Sequence, residues 1–243
     1  MKVIVIIPAA GLGTRMSAVS TSDKSKTKQF LELQGTPILI HTLRKFGANR
    51  QVDEIVVALR KNEIAAFQQL AEAAGIKKPL RVVEGGEHRQ DSVANALTAL
   101  NATEDDIVLV HDAVRPFVTD ETIDGVIEAV KKYGAAIAGI PAIDTVKQVD
   151  RTSDGAVVLA TVPRERMVMA QTPQGFRFGL LKKAFDEARV DGFLGTDEAS
   201  LIERAGGAVH VVMGSPRNLK ITTPGDLELA EFILTQESRH KSG

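Results

Sequence analysis

Apolar and polar positions along this chain fall into two alternating patterns. Short β-branched runs read as buried strands: VIVII (Val3–Ile7), EIVVAL (Glu54–Leu59), LRVVEGG (Leu80–Gly86), the start of IVLVHDAVRPF (Ile107–Phe117), AAIAGIP (Ala135–Pro141), HVVMG (His210–Gly214) and NLKIT (Asn218–Thr222). Helical spacing fills much of the rest. It runs over Pro37–Phe46, over Ile64, Phe67, Leu70, Ala71 and Ala74 up to Gly75, and over Asp91–Leu100, Thr122–Tyr133, Leu180–Arg189 and Thr196–Ala205. TPGD (Thr223–Asp226) places a capping threonine, a first-turn proline and an acid at the start of a last helix reaching about Glu237. Strand and helix in alternation predict an α/β fold, a Rossmann-like, doubly wound and mostly parallel sheet covered by helices.

One stretch breaks the rhythm. TVKQV (Thr145–Val149), the turn DRTSDG and AVVLATV (Ala156–Val162) read as a β-hairpin with no helix between its strands. Such a ribbon fits a parallel sheet poorly and is marginally stable alone, so residues 142–165 are expected to project as an arm and meet a partner surface.

Composition narrows the function classes. At 243 residues, 44% hydrophobic, the chain suffices for one large domain or for one domain with an appendage. A net charge of -1 supplies no global positive field, which argues against nucleic acid or an anionic membrane as partner and requires any anion site to be local. The absence of cysteine excludes thiolate metal sites and cysteine nucleophiles and fits a reducing compartment. No apolar run approaches the roughly 20 residues of a spanning helix, and the cytoplasm is the expected location.

Candidate chemistry gathers at the ends of the apolar strands, the edge where open α/β sheets bind ligands. After Val3–Ile7 the chain reads PAAGLGTRMSAVSTSDKSKTKQF: a glycine turn, Arg15, a polar excursion (Ser17–Thr27), then Lys28. Small residues at such a turn let backbone N–H groups approach a phosphate. Met16 stands where a dinucleotide fingerprint has its third glycine, and Leu59 and Arg60 stand where it has its ribose-binding acid; no GxxxxGK[ST] and no GxSxG occurs. In HDAVRP, Asp112 is placed to hold Mg²⁺ together with substrate phosphates and Arg115 to grip an anion, unless the two simply pair with each other. His111 reads as a packing residue. Lys220 is another strand-end cation, beside a capped helix N-terminus, and TDEAS (Thr196–Ser200) reads as a helix cap. Several cations, one aspartate and no nucleophile–base pair suit phosphoryl or nucleotidyl transfer.

PAAGLGTRM, KQF, VVEGG followed by R-x-D-S, HDAVRP, Asp144–Thr145, QTPQGF, TDEAS and NLKIT occur in this order. Together they resemble the 2-C-methyl-D-erythritol 4-phosphate cytidylyltransferases of non-mevalonate isoprenoid synthesis, over nearly the whole chain. Thr27 stands where that family usually has proline, the excursion to Lys28 is longer, and HDAVRP has valine where many members have alanine. The resemblance implies one nucleotidyltransferase domain over 1–243, with Mg²⁺-assisted attack of the substrate phosphate on CTP. It implies that Arg15 and Lys28 stabilise the CTP phosphates, that Asp112 serves the metal, and that Ala9, Ala10, Gly11, Gly86, Glu87 and Ser92 surround the cytidine. Arg115, Thr145, Arg164, Thr172 and Lys220 would hold methylerythritol phosphate, Arg164 and Lys220 aligning it for attack. The arm would build a homodimer in which Thr145 and Arg164 act across subunits. Two alternatives stand beside this: a ribitol 5-phosphate cytidylyltransferase, which shares KQFLEL, VRPF and NLKITT but usually has AGG in place of PAAG, and a non-catalytic nucleotide sensor using the same pocket.

Overall fold

The structure, a computed structural model, describes residues 1–11 and 27–241. In chain order the strands are β1 (Val3–Pro8), β2 (Glu32–Leu33), β3 (Thr36–Pro37), β4 (Glu54–Leu59), β5 (Leu80–Glu84), β6 (Ile107–Val110), β7 (Ala135–Pro141), β8 (Val146–Thr152), β9 (Gly155–Val162), β10 (Val168–Arg177) and β11 (His210–Met213). The helices are α1 (Ile38–Ala48), α2 (Ile64–Ala73), α3 (Arg89–Ala99), α4 (Asp120–Tyr133), α5 (Phe178–Val190), α6 (Glu198–Arg204) and α7 (Pro224–Lys241). Among the described residues no helix is long and apolar enough to cross a membrane.

β1 shows why the sheet lies in the middle. Val3, Val5 and Ile7 face one way, into a core shared with α1, α2 and α4, while Ile4 and Ile6 face the other, into a core shared with α3, α5 and α6. Side chains alternate across a strand, so a run apolar at every position needs cover on both faces. Each such side chain, fully buried, contributes about 1.5–3 kcal/mol. A third, smaller cluster joins α7, through Ala230 and Ile233, to Leu33, Ile38, Phe117 and Ile221. Local chemistry sets the helix ends. Thr119 accepts from the Thr122 N–H to start α4, Asp120 and Glu121 occupy its first turn, Lys131 and Lys132 its last, and Gly134 at φ 86° terminates it.

The seven-stranded sheet runs β11-β7-β10-β6-β1-β4-β5. All neighbours pair in parallel except β10, which is antiparallel to both β6 and β7. From β1 the chain builds outward through β4 to β5, then returns to lay β6 on the far side of β1. This reversal opens a crevice beyond the carboxyl ends of β1 and β6, where such sheets bind ligands.

One strand escapes the apolar pattern, and one expected strand needs correction. QTPQGF belongs to the central strand β10, which the apolar pattern does not reveal because Gln171, Thr172 and Gln174 are buried in it beside Pro173 and Gly175. Their polar groups are satisfied by specific partners, Gln174 reaching the Asp197 carboxylate at 2.8 Å and the Ala199 N–H at 3.1 Å. The register shifts between Ala170 and Gln174, a bulge that accommodates the proline. Conversely, Asn218–Thr222 is not a strand. It is a loop pinned by the Ile221 N–H to the Val114 carbonyl at 3.0 Å and by the Asn218 amide to the Thr172 carbonyl at 2.8 Å, so its apolar residues are buried without a sheet ladder.

β8 and β9 form a separate two-stranded sheet, longer than the apolar pattern implies, with exposed Val149, Val157, Val158 and Leu159. β2 and β3 form a small hairpin through Gln34 and Gly35, both at positive φ, a turn that the helical reading from Pro37 passes over.

Gly175 lets α4 approach β10 closely: a Cβ there would lie 2.7 Å from Val126 Cγ1, 2.8 Å from Leu109 Cδ2 and 2.9 Å from Val130 Cγ2. Gly175→Ala is therefore expected to destabilise the protein by about 1–3 kcal/mol through overpacking. Urea unfolding measures this, and a midpoint equal to that of the parent would show that α4 can yield.

Candidate active site

Three strand ends build the crevice. Beyond β1, Ala9–Gly11 are fixed by the Ala9 N–H to the Ala58 carbonyl at 2.8 Å, by the buried Gln29 amide to the Ala9 carbonyl at 2.6 Å and by Arg60 Nε to the Ala10 carbonyl at 2.8 Å. Arg60, standing where a dinucleotide domain has its acid, is thus a brace for the glycine turn. Beyond β5, the Gly85 N–H bonds the Leu59 carbonyl at 2.7 Å, and a Cβ on Gly85 would lie 2.4 Å from that of Ala10. Only glycine allows the two loops to come so close. The Ser92 hydroxyl accepts the Gly86 N–H and donates to the His88 carbonyl, each at 3.1 Å, tying this loop to the first turn of α3.

These loops line a cavity that opens to solvent. Its wall brings together Ala9, Ala10, Gly11, Lys28, Gly86, Glu87, Ser92, Asp112 and Lys220, and adds Arg89. Arg115 and Thr172 do not line it; both are buried behind Asp112. Thr145 and Arg164 lie on the arm side of the molecule, exposed, with Arg164 donating to the Ile143 carbonyl at 2.9 Å. Arg15 and most of the excursion from Ser17 lie outside the described residues.

Asp112 is the electrostatic centre. Lys220 Nζ lies 2.9 Å and Arg115 Nε 3.3 Å from its Oδ2, and Arg89 Nε lies 3.2 Å from its Oδ1. Burial by itself would raise this carboxyl. The charges of Arg89 and Lys220, the Lys220 hydrogen bond and the charge of Arg115 outweigh burial and hold it well below the usual carboxylate range. The pairing of Asp112 with Arg115 is therefore present, and it coexists with a cavity-facing carboxylate. Arg115 also donates to the Asn218 carbonyl at 2.6 Å, and Arg89 Nη1 donates to Glu198 Oε1 at 2.6 Å.

The reading of TDEAS as a cap holds for half of it. Asp197 accepts the Ser200 N–H at 3.0 Å, but Glu198 is fully buried and paired with Arg89. Burial pushes its carboxyl up, and Arg89 pulls it back only in part. Arg89 and Glu198 are the residues that sequence reasoning passed over. Their signal was an acid directly after an N-cap acid, and the arginine of R-x-D-S.

His111 organises the turn from behind. Its Nε2 lies 3.0 Å from the Arg115 carbonyl, which only accepts, so Nε2 carries the hydrogen. Nδ1 is then bare and accepts the Thr172 hydroxyl at 3.1 Å, whose oxygen accepts the Asp112 N–H at 3.1 Å. The Thr172 hydroxyl proton is thus used inside the protein. Burial lowers the His111 pKa to about 4, so the ring is neutral at physiological pH.

A switch-point crevice walled by backbone loops, with cations gathered around one carboxylate, is an arrangement that suits a nucleotidyltransferase. A family model described as 2-C-methyl-D-erythritol 4-phosphate cytidylyltransferase matches residues 3–236. Curated proteins of that description from Acidobacterium capsulatum and Solibacter usitatus are 58% and 51% identical, each alignment covering 98% of this chain and 99% and 98% of the relative. A crystal structure of the Francisella tularensis 2-C-methyl-D-erythritol 4-phosphate cytidylyltransferase superposes with a TM-score of 0.79 at 38% identity, covering 96% of this chain and 99% of that one. The chain belongs to the 2-C-methyl-D-erythritol 4-phosphate cytidylyltransferase family.

The neutral His111 carries a pH signature. With a folded pKa of about 4 against 6.5 unfolded, the unfolded chain binds the extra proton between these values, so stability is fully present above pH 6.5 and falls as pH drops toward 4. Between pH 7 and 5 this residue is expected to contribute a loss of about 2 kcal/mol. Urea unfolding of His111→Asn should lack that part of the slope, His41 contributing alike in both proteins. Equal slopes would mean that His111 does not titrate in this way.

Proposed function

We infer that the protein transfers CMP from CTP to 2-C-methyl-D-erythritol 4-phosphate in non-mevalonate isoprenoid synthesis. The observation that carries this is Asp112, a buried carboxylate surrounded by Arg89, Arg115 and Lys220 at the wall of the cavity beyond β1 and β5. An oxygen of the substrate phosphate attacks the α-phosphorus of CTP and forms the new P–O bond. The bond to the β-phosphate breaks, and its electron pair leaves with pyrophosphate. No side chain need form a covalent intermediate, so catalysis rests on alignment and on neutralising charge.

The family resemblance implies the roles, and the described positions suit them. Ala9–Gly11, Gly86, Glu87 and Ser92, which line the cavity together, would form the cytidine wall. Lys28, with Arg15, neutralises charge on the phosphates, and Lys220 orients the attacking phosphate. Arg115 and Thr172 act by fixing the Asp112 turn. A divalent cation such as Mg²⁺ fits the donor set: magnesium is held by one or two carboxylates plus waters and substrate phosphates, and Asp112 is an ionised carboxylate at the cavity wall. Bound there, the cation would withdraw charge from the CTP phosphates.

The arm supports a homodimer. Its exposed valines and Leu159 need cover that a second copy supplies, and dimerisation would carry Arg164 and Thr145 to the partner's cavity as ligands of the sugar phosphate. Because CTP is a cytoplasmic metabolite, we read the cytoplasm as the compartment.

Purified protein with CTP and Mg²⁺ is expected to release pyrophosphate with methylerythritol phosphate and far more slowly with ribitol 5-phosphate. Preference for ribitol phosphate would overturn the assigned substrate, and release with neither would favour a nucleotide sensor. Lys28→Ala is expected to lower kcat by about 100-fold or more while leaving CTP binding nearly intact. Mixed with Arg164→Ala subunits it should recover part of its activity. No recovery under demonstrated subunit exchange would count against a site shared between subunits.

A further inference from the structure

Arg89 is shared between two carboxylates. It gives Nε to Asp112 at 3.2 Å and Nη1 to Glu198 at 2.6 Å, and its side chain remains about one-third open to the cavity, at 30% exposure. Glu198 has no such opening: it is 1% exposed, and among the described residues its second oxygen is buried without a hydrogen-bond partner. A buried acid with an unsatisfied oxygen is costly, and an apolar residue next to a helix cap would cost nothing of the kind. The Glu198–Arg89 contact is therefore expected to serve the site.

Its geometry indicates how. A guanidinium left with a single carboxylate closes on it with two parallel N–H bonds. Here the shorter bond runs to Glu198, and Arg89 meets Asp112 through Nε alone. Arg115 is likewise tethered elsewhere, through the Asn218 carbonyl at 2.6 Å. Each arginine beside Asp112 thus has a second anchor that limits its hold on the aspartate.

We propose that Glu198 is a positioning residue: by tethering Arg89 it keeps that arginine from closing on both oxygens of Asp112 and so leaves the aspartate available to the divalent cation. This rests on the reading of Asp112 as the metal-binding residue. Glu198 touches neither nucleotide nor metal; it acts through Arg89.

The test measures CTP binding by calorimetry with Mn²⁺ and with EDTA, on full-length protein whose melting temperature is recorded. The readout is the ratio of the two affinities. In the parent, Mn²⁺ is expected to strengthen binding; no strengthening would overturn the metal reading and this proposal with it. Glu198→Gln is expected to reduce the ratio by about tenfold, the scale of a lost partner of a metal ligand. Metal-free binding should change far less. Damage to the cavity would weaken both measurements alike and leave the ratio unchanged, which would overturn the proposal.

Arg89→Met added to Glu198→Gln should restore the ratio toward that of Arg89→Met alone, since with no guanidinium to tether Glu198 has nothing to do. A ratio in the double variant well below that of Arg89→Met alone would overturn the proposal, and this comparison remains open if Glu198→Gln by itself fails to fold.

Discussion

A carboxylate buried at the end of a strand cannot stay charged unless cations are brought to it, and most of the site is an answer to that constraint. Asp112 draws them from three segments: Arg89 after β5, Arg115 within its own turn and Lys220 before α7. Each is long and flexible, and each is immobilised by a second structure: Glu198 on α6, the Asn218 carbonyl, and the loop pinned through Ile221 to Val114. The charge of one residue thus couples four parts of the chain. Breaking one member of such a buried network leaves the others uncompensated, so substitutions in it are expected to act together rather than additively.

The neutral groups behind the aspartate serve the same end. The chain from the Asp112 N–H through the Thr172 hydroxyl to His111 and on to the Arg115 carbonyl ties the turn after β6 to the inserted antiparallel strand β10. Hydrogen bonds of this kind strengthen in a water-poor interior, and each leaves no spare donor for a ligand. That is why Thr172, although close to the site, supports it from behind. It also explains why a central strand is built from glutamine, threonine and proline where apolar residues would be expected: β10 carries the site's supports as well as the sheet's ladder.

The arm follows a different logic. β8 and β9 form a sheet of their own and expose valines and a leucine, the surface that the proposed dimer would cover. In the proposed dimer the sugar-phosphate ligands arrive on the arm, while the nucleotide wall is held rigidly by Gln29, Arg60 and Ser92. A rigid nucleotide site and an acceptor site completed by association would let CTP bind before the acceptor is engaged.

Strand runs apolar at every position, helices with one apolar face and a hairpin without a helix are local patterns, and they were legible along the chain because burial on two faces, on one face or on none leaves different periodicities. That Gly11, Asp112 and Lys28 would gather at one edge of the sheet was legible too, since each follows a strand end or a polar excursion from one. β10 was not, because its buried polar residues are satisfied only by partners far away in sequence. Nor was the loop at Asn218–Thr222, whose apolar residues fill a corner of the core without pairing as a strand. The meeting of Arg89 with Glu198 was hidden for the same reason: the two lie more than a hundred residues apart, and an acid beside a helix cap reads locally as part of the cap. Periodicity and residue chemistry determine which elements form and which edge of the sheet is functional. Which charges share a carboxylate is a property of packing, because only the folded sheet brings the ends of β5 and β6, the start of α6 and the loop before α7 to a single point.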